Sequence, residues 1–383
     1  MPLFKPNNSP IAWAALTAAV LLIILFFGLR PKGLRLDNPV TLLPAQGAIV
    51  FAKNGLAHVD DLSAIRYSLS HGELTIEMAV RADDPAERRT RFRSLLMLHD
   101  GSDRQQLLVG QWGPAVIVMN GDDYDHTRRL PRVVARDVFA GDTIRLITVT
   151  ADNSGTRIYI DGALAGERDD WQLQVPGGGP PLQMVLGNSV RANKTWRGAM
   201  CGLAVYERSL SPAAVKARYE RWAESSRFAH DPADDPLVLY TFDSHDGRMV
   251  PDRSANQNDL HIPRRPVVLQ VKILAPPWSN FKLDGPAVGD MILNLAGFMP
   301  LGFALAGLLG AGGRLSGRRV LCGAVAGCFA VSLGMEIVQA WMITRHSSLL
   351  DLVLNTAGGW VGAEGQKMNV QHRTSNVQRP TSK

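Results

Sequence analysis

Cysteine is almost missing from this sequence: of 383 residues only Cys201, Cys322 and Cys328 carry a thiol, none with a histidine at metal-ligand spacing. That points away from a disulfide framework and from a zinc site. Charge of one sign is lacking too. The 41 Lys and Arg nearly balance the 35 Asp and Glu, for a net charge of +6, and basic residues are scattered among acidic ones instead of lining one helix. Nucleic acid is therefore not expected as a partner. What the chain does have is apolar runs at both ends with ordinary soluble sequence between them, so one fold does not cover it.

The first apolar run, Ile11 to Leu29, holds 19 residues and no charge, close to the roughly 20 needed to cross a bilayer core. The run ends in Phe26, Phe27 and Leu29 and is followed by Arg30 and Pro31, where a signal peptide would place small residues, so it reads as an uncleaved anchor. Three further membrane helices are expected at about 291–310, 320–343 and 349–363, the last short for a full span. Arg314, Arg318 and Arg319 in one loop, and Lys367, Arg373, Arg379 and Lys383 in the tail, assign both to the cytoplasm. The N-terminal residues 1–10 are then cytoplasmic too, the sequence between the first and second helices lies outside, and the protein is a multi-pass protein of the cell (inner) membrane. The tail over 366–383 reads as basic and disordered.

Between residues 47 and 263, with linkers at 30–46 and 264–288, short alternating strands are broken by Gly, Asp and Asn. In LTIEMAV (74–80), Leu74, Ile76, Met78 and Val80 alternate with Thr75, Glu77 and Ala79, and Asp161-Gly162 supplies a tight hairpin turn. The pattern predicts an all-β antiparallel sandwich with one helix, SLSPAAVKARYERWAE, entered through Ser211 and Pro212.

The Tyr159-Ile160-Asp161-Gly162 hairpin, then Trp196-Arg197-Gly198, then Tyr206-x-Arg208-x-Leu210-Ser211 before a helix, resemble the second half of a laminin-G or concanavalin A-like jelly roll. The stretch 237–263 resembles a strand and turn that usually open such domains. Here it comes last, so either it closes the sheet from the other end, the expected outcome, or it starts a truncated second copy. The resemblance implies binding of a glycan or of another protein along one sheet face or its loops, sometimes with calcium. Trp112, Tyr124, Trp171 and Trp196 are candidate stacking platforms, and Asp122, Asp123 and Asp125 of NGDDYDH are candidate calcium ligands; no other cofactor is expected. Core packing and a solvated hairpin are the competing readings. Jelly-roll glucanases carry Glu-x-Asp-x-x-Glu on one strand, since two carboxylates must flank one bond. Glu73 and Glu77 would instead stand about 13 Å apart at ordinary strand rise, and Glu167-x-Asp169 runs on to Gln172. Hydrolysis by this domain is not expected.

The membrane segments carry one pattern twice: Asp290, Asn294 and Gly297, then Asp351, Asn355 and Gly358, each on one helix face. Glycine permits close helix approach and Asn can hydrogen-bond across it. Glu336 and Gln339 share another face, and Arg345 is the nearest cation for Glu336 or Asp351. Such a cluster reads either as an ion pair fixing helix packing or as a polar pocket for a head group. In order and spacing, with Phe298-x-Pro300-Leu301-Gly302 and Gly362, these residues resemble the VanZ-like membrane family over 289–365, and residues 11–29 would be its first helix. The family's polar positions here are Asp290, Asn294, Glu336, Gln339, Arg345, Asp351 and Asn355. Its founding member is linked to teicoplanin resistance, and the long insertion departs from the family pattern. The expected protein is a membrane-anchored binder of envelope glycans, linked to glycopeptide response. The alternative is an intramembrane enzyme or carrier acting on a lipid-linked envelope precursor through Glu336, Arg345 and Asp351.

Overall fold

The computed structural model describes residues 9–30, 37–69, 72–83, 91–177, 179, 181–225, 227–228, 234–277, 285–343 and 345–377. They divide into two compact units, Arg35–Gln270 and the pair of segments Met1–Leu34 and Val271–Lys383.

The first unit is a sandwich of two antiparallel sheets. Its strands are β1 (Val40–Leu43), β2 (Ala48–Phe51), β3 (Ala57–Val59), β4 (Leu74–Ala82), β5 (Phe92–His99), β6 (Leu107–Trp112), β7 (Ala115–Asn120) and β8 (Arg132–Ala135). They continue with β9 (Arg145–Asp152), β10 (Gly155–Ile160), β11 (Ala163–Arg168), β12 (Gln183–Leu186), β13 (Gly198–Tyr206), β14 (Val238–Tyr240), β15 (Met249–Val250) and β16 (Leu260–His261). Among the described residues, one sheet runs β1-β2-β13-β4-β9-β10-β11 with β14 also paired to β13, and the other runs β15-β16-β3-β12-β5-β6-β7-β8. Residues 237–263 thus close both sheets, as expected, and do not begin a second copy.

Alternation sets the core. Ile76, Met78 and Val80 of the first sheet meet Leu96, Leu98, Leu107 and Val109 of the second, all buried in one cluster. The Asp161-Gly162 turn joins β10 to β11, with Ile160 opposite Ala163 and both turn residues at positive φ, as a two-residue hairpin demands. The outward residues of β4 are buried as well, which alternation alone does not give: helix α3 (Pro212–Ser225) covers that face through Arg218, whose guanidinium lies 2.7 Å from Glu77. Two boundaries move. Strand β1 lies inside the expected 30–46 linker, because Val40–Leu43 find Ala48–Phe51 as partners, and a short helix, α2 (Ser63–Leu69), is added to the single one expected.

Among the described residues the second unit holds four helices, as expected: α1 (Pro10–Leu29), α4 (Gly285–Ala311), α5 (Gly317–Ala340) and α6 (Leu349–Val377). Helices α1, α4 and α5 are long and apolar enough to cross a membrane. Side chains such as Ile11, Leu22, Phe26 and Phe27 stand exposed on α1, a face that suits lipid. Helix α6 outruns its expected end at 363. Its backbone stays helical through Val377, so residues 366–377 of the expected disordered tail are ordered as helix, while 378–383 lie outside the described residues. No proline or capping glycine interrupts the chain there, and Glu364 and Lys367, 3.3 Å apart, add a pair on one face.

Candidate functional site

In the sandwich, Phe92 of β5 is the cross-strand neighbour of Trp112 of β6, at a place where Gly110 leaves room for the Phe92 ring. The loop after β7 folds back over this spot. Tyr124 lies 5.3 Å from Phe92 between ring centres, His126 lies 4.4 Å from Trp112, and Lys194 sits 4.2 Å above the Tyr124 ring. Gln106, itself buried, donates to the Tyr124 hydroxyl at 2.8 Å and fixes it. Burial pushes the Tyr124 hydroxyl and the Lys194 ammonium toward their neutral forms, raising the one and lowering the other. His126 is lowered by burial and by Arg132. The result is an aromatic group edged by weakly held positive charge, suited to stacking and to hydrogen bonding at the rim.

Two of the four expected platforms, Trp112 and Tyr124, therefore come together. The other two do not. Trp196 is fully buried beside Phe51, 6.0 Å between ring centres, and offers no face to a ligand; its position just before β13 turns it into the core. Trp171, in the loop after β11, packs partly buried against the core, its carbonyl accepting from Thr156. Phe92, Lys194 and His126 were not legible as partners, since only the register of β5 on β6 and the fold-back of the loop bring them in.

The acidic loop is committed to itself. Asp123 is buried and accepts from the backbone N–H of Arg128 at 3.0 Å and of Leu130 at 3.1 Å, Asp122 pairs with the Arg128 side chain, and Asp125 accepts from Thr127. Among the described residues no group of three or more His, Cys, Asp or Glu is arranged to hold a metal ion. The three aspartates here work as loop-closing acceptors, the Asx role short polar chains play in turns. The carboxylates weighed for hydrolysis are likewise occupied: Glu77 by Arg218, and Glu73 by the Ser209 N–H at 3.4 Å.

In the helical unit the repeated pattern does converge. Gly358 and Gly362 of α6 face the carbonyls of Leu295 and Met299 on α4, and Gly302 faces that of Gly359; a Cβ at any of the three would fall within 2.0 Å of backbone oxygen. Gly297, the expected counterpart of Gly358, has open space instead, because α4 meets α6 along Leu295, Met299 and Gly302. Above this contact Asn294 hydrogen-bonds the Asp351 side chain, and Asp290 and Arg345 act on the same carboxylate through their charges. Asn355 donates to Ser332 at 2.9 Å.

Glu336 and Arg345 are not partnered as expected. Glu336, buried, accepts from the Ser348 N–H at 2.7 Å. Arg345 reaches the carbonyls of Phe27 at 2.9 Å and Arg30 at 3.4 Å, and Gln339 the carbonyl of Gly28 at 2.9 Å. The physical reason is the end of α1, whose last carbonyls have no partner within the helix and draw the nearest donors. Ser332, Ser347 and Ser348 complete the cluster, and small hydroxyls in an apolar run gave no signal of that role.

Residues 240–365 match the family described as VanZ/LLP1, and residues 58–216 match the concanavalin A-like lectin/glucanases superfamily. With the three apolar helices, the first match supports a membrane protein. No curated protein matches the chain. Similar solved structures include the Ruminococcus gnavus IT-sialidase CBM40 bound to alpha2,3 sialyllactose, 13% identical over 47% of this chain and 98% of that one, with a TM-score of 0.37. A candidate carbohydrate-binding protein from Bacteroides ovatus is 13% identical over 62% of this chain and 63% of that one, TM-score 0.38. The receptor binding domain of botulinum neurotoxin C/D mosaic serotype is 11% identical over 58% and 57%, TM-score 0.39.

Proposed function

We propose that this protein is a cell-envelope membrane protein whose sandwich binds a glycan or envelope polymer outside the cytoplasm, while its helices hold it in the cell membrane. The observation that carries the reading is the grouping of the half-buried Trp112 and Tyr124, backed by the buried Phe92 and edged by Lys194 and His126, on one sheet face. Flat rings stack on the C–H faces of sugars, and the polar rim answers their hydroxyls. The likeness of residues 58–216 to the lectin/glucanase superfamily supports the same reading. Arg314, Arg318 and Arg319 between α4 and α5 support a cytoplasmic side for that loop, and with it an outer location for the sandwich.

The test is a broad glycan array, including peptidoglycan fragments, probed with the full chain in detergent micelles. Retention of at least one saccharide class is expected, weakened about tenfold or more by Trp112→Ala, the loss expected when a stacking ring is truncated. A chain that folds but retains nothing from the array ends the reading. Retention of peptidoglycan fragments would extend it toward the glycopeptide response, and their absence would remove that extension.

A further inference from the structure

At the opposite edge of the same sheet, His58 of β3 and His261 of β16 are cross-strand neighbours with ring centres 6.3 Å apart. Both point away from the core, since Ala57, Val59 and Leu260 point into it. Together with Asp60, Arg248, Met249 and Arg264 they line an open cleft of about 580 Å³. Arg248 is held in place there: its Nε donates to the Ile262 carbonyl at 2.9 Å and one Nη to that of Pro263 at 3.1 Å, leaving most of its five donors for other use. The Asp60 carboxylate lies 2.9 Å from His58 Nδ1. This cleft is distinct from the Trp112 group. Three strands, β3, β12 and β5, separate β16 from β6, which at ordinary strand spacing is roughly 19 Å.

We propose that this cleft is a second saccharide site, one that takes an acidic sugar: Arg248 and Arg264 hold its carboxylate, and Asp60 accepts from its hydroxyls. The presence of Asp60 selects the ligand. Its oxygens, which also face His58 Nδ1 at 2.9 Å, can accept from hydroxyls next to a carboxylate held by two guanidiniums, an arrangement that a sugar-acid ring supplies and a neutral sugar does not. The ligand's class rests on the glycan reading above; the site does not. The charged and titratable groups facing His58 are His261, Asp60, Arg248 and Arg264. Burial lowers the His58 pKa and His261 lowers it further, while Asp60 raises it. A bound carboxylate adds a second anion and favours the imidazolium, so affinity grows as pH falls through the His58 pKa and fades above it.

The test is calorimetry on the full chain in detergent micelles with trigalacturonate, with neutral galactotriose of the same length, and with inorganic phosphate. The expected result at pH 6 is trigalacturonate binding about tenfold or more tighter than galactotriose, a loss of about tenfold on Arg264→Gln, and weaker binding at pH 8. His261→Gln, on an exposed position, serves if Arg264→Gln fails to fold; it should weaken trigalacturonate binding, since His261 lines the cleft beside His58. Trigalacturonate affinity unchanged in both variants overturns the proposal, as does phosphate binding as tightly as the uronate. If trigalacturonate does not bind while the glycan array still retains neutral sugars, this cleft assignment falls and the glycan reading stands. If no saccharide binds in either experiment, both fall.

Discussion

Glu77 and Arg218 show how a single pair can fix a helix on a sheet. Arg218 of α3 reaches Glu77 and the Tyr206 hydroxyl, at 2.7 and 2.8 Å, and also pairs with Asp234. Burial pushes the Glu77 carboxyl above the usual carboxylate range, against the pull of Arg218 and the Tyr206 hydrogen bond. Removing the cation leaves a buried carboxylate uncompensated, which costs about 3–5 kcal/mol. Arg218→Met is therefore expected to destabilise the sandwich by about that amount at pH 8. The sign with pH follows. An acid whose folded pKa is raised binds its proton more tightly in the fold, so the deficit should shrink as pH falls through that raised value. Denaturant titrations at pH 8 and pH 5 check this, and an equal deficit at both would show that Glu77 carries no charge in the fold.

At the scale of elements, the contact between α4 and α6 is made by missing side chains. A Cβ on Gly358 or Gly362 would meet the Leu295 or Met299 carbonyl at 2.0 or 1.9 Å, and the obstacle is backbone, which cannot swing aside. Gly358→Ala and Gly362→Ala must splay the helices, and each should cost about 1–3 kcal/mol, the range for overpacking. Gly297→Ala, with nothing within 4 Å, should be neutral or slightly stabilising, since alanine favours helix. Unfolding in mixed micelles measures all three, and equal effects would refute this account of the contact. The example also marks how far sequence reading reached. Period and spacing gave the four helices, the sandwich and the residues of each polar stripe, because those follow from local pattern. They did not give which glycine meets which carbonyl, since the rotation of α4 about its axis is set by Leu295 and Met299, apolar residues that carry no distinguishing mark. Arg345 was expected beside Glu336 or Asp351: its charge does act on Asp351, but its hydrogen bonds go to the carbonyls ending α1, since charge complementarity is visible in a sequence and unpaired carbonyls are not. Trp196 read as a platform because exposure, unlike ring chemistry, depends on the strand it enters.

For the whole molecule, a unit inserted between two long apolar helices folds most readily on its own when its chain leaves close to where it enters. The sandwich meets this within itself. The Asn38 N–H donates to the Arg264 carbonyl at 2.9 Å, and its side chain donates to the carbonyls of Pro263 at 2.9 Å and Leu56 at 2.8 Å while accepting from the Leu56 N–H. Asn38 is buried, 4% exposed, and its two bonds with Leu56 are shielded from water. First and last segments of the unit are thus stapled by one side chain, and β15 and β16 close the second sheet from the far end of the sequence. A unit with its own core and joined ends should fold without the helices: residues 35–270 expressed alone are expected to be soluble and to unfold cooperatively in urea. Asn38→Ala leaves the Leu56 N–H and the Leu56 and Pro263 carbonyls short of a partner, so it should lower the stability of that segment by about 2 kcal/mol. An isolated segment that aggregates or melts without a transition would mean the helices are part of its fold. A cooperative segment indifferent to Asn38→Ala would mean instead that the sheets alone bring the ends together, and that the staple is a consequence of closure and not its cause.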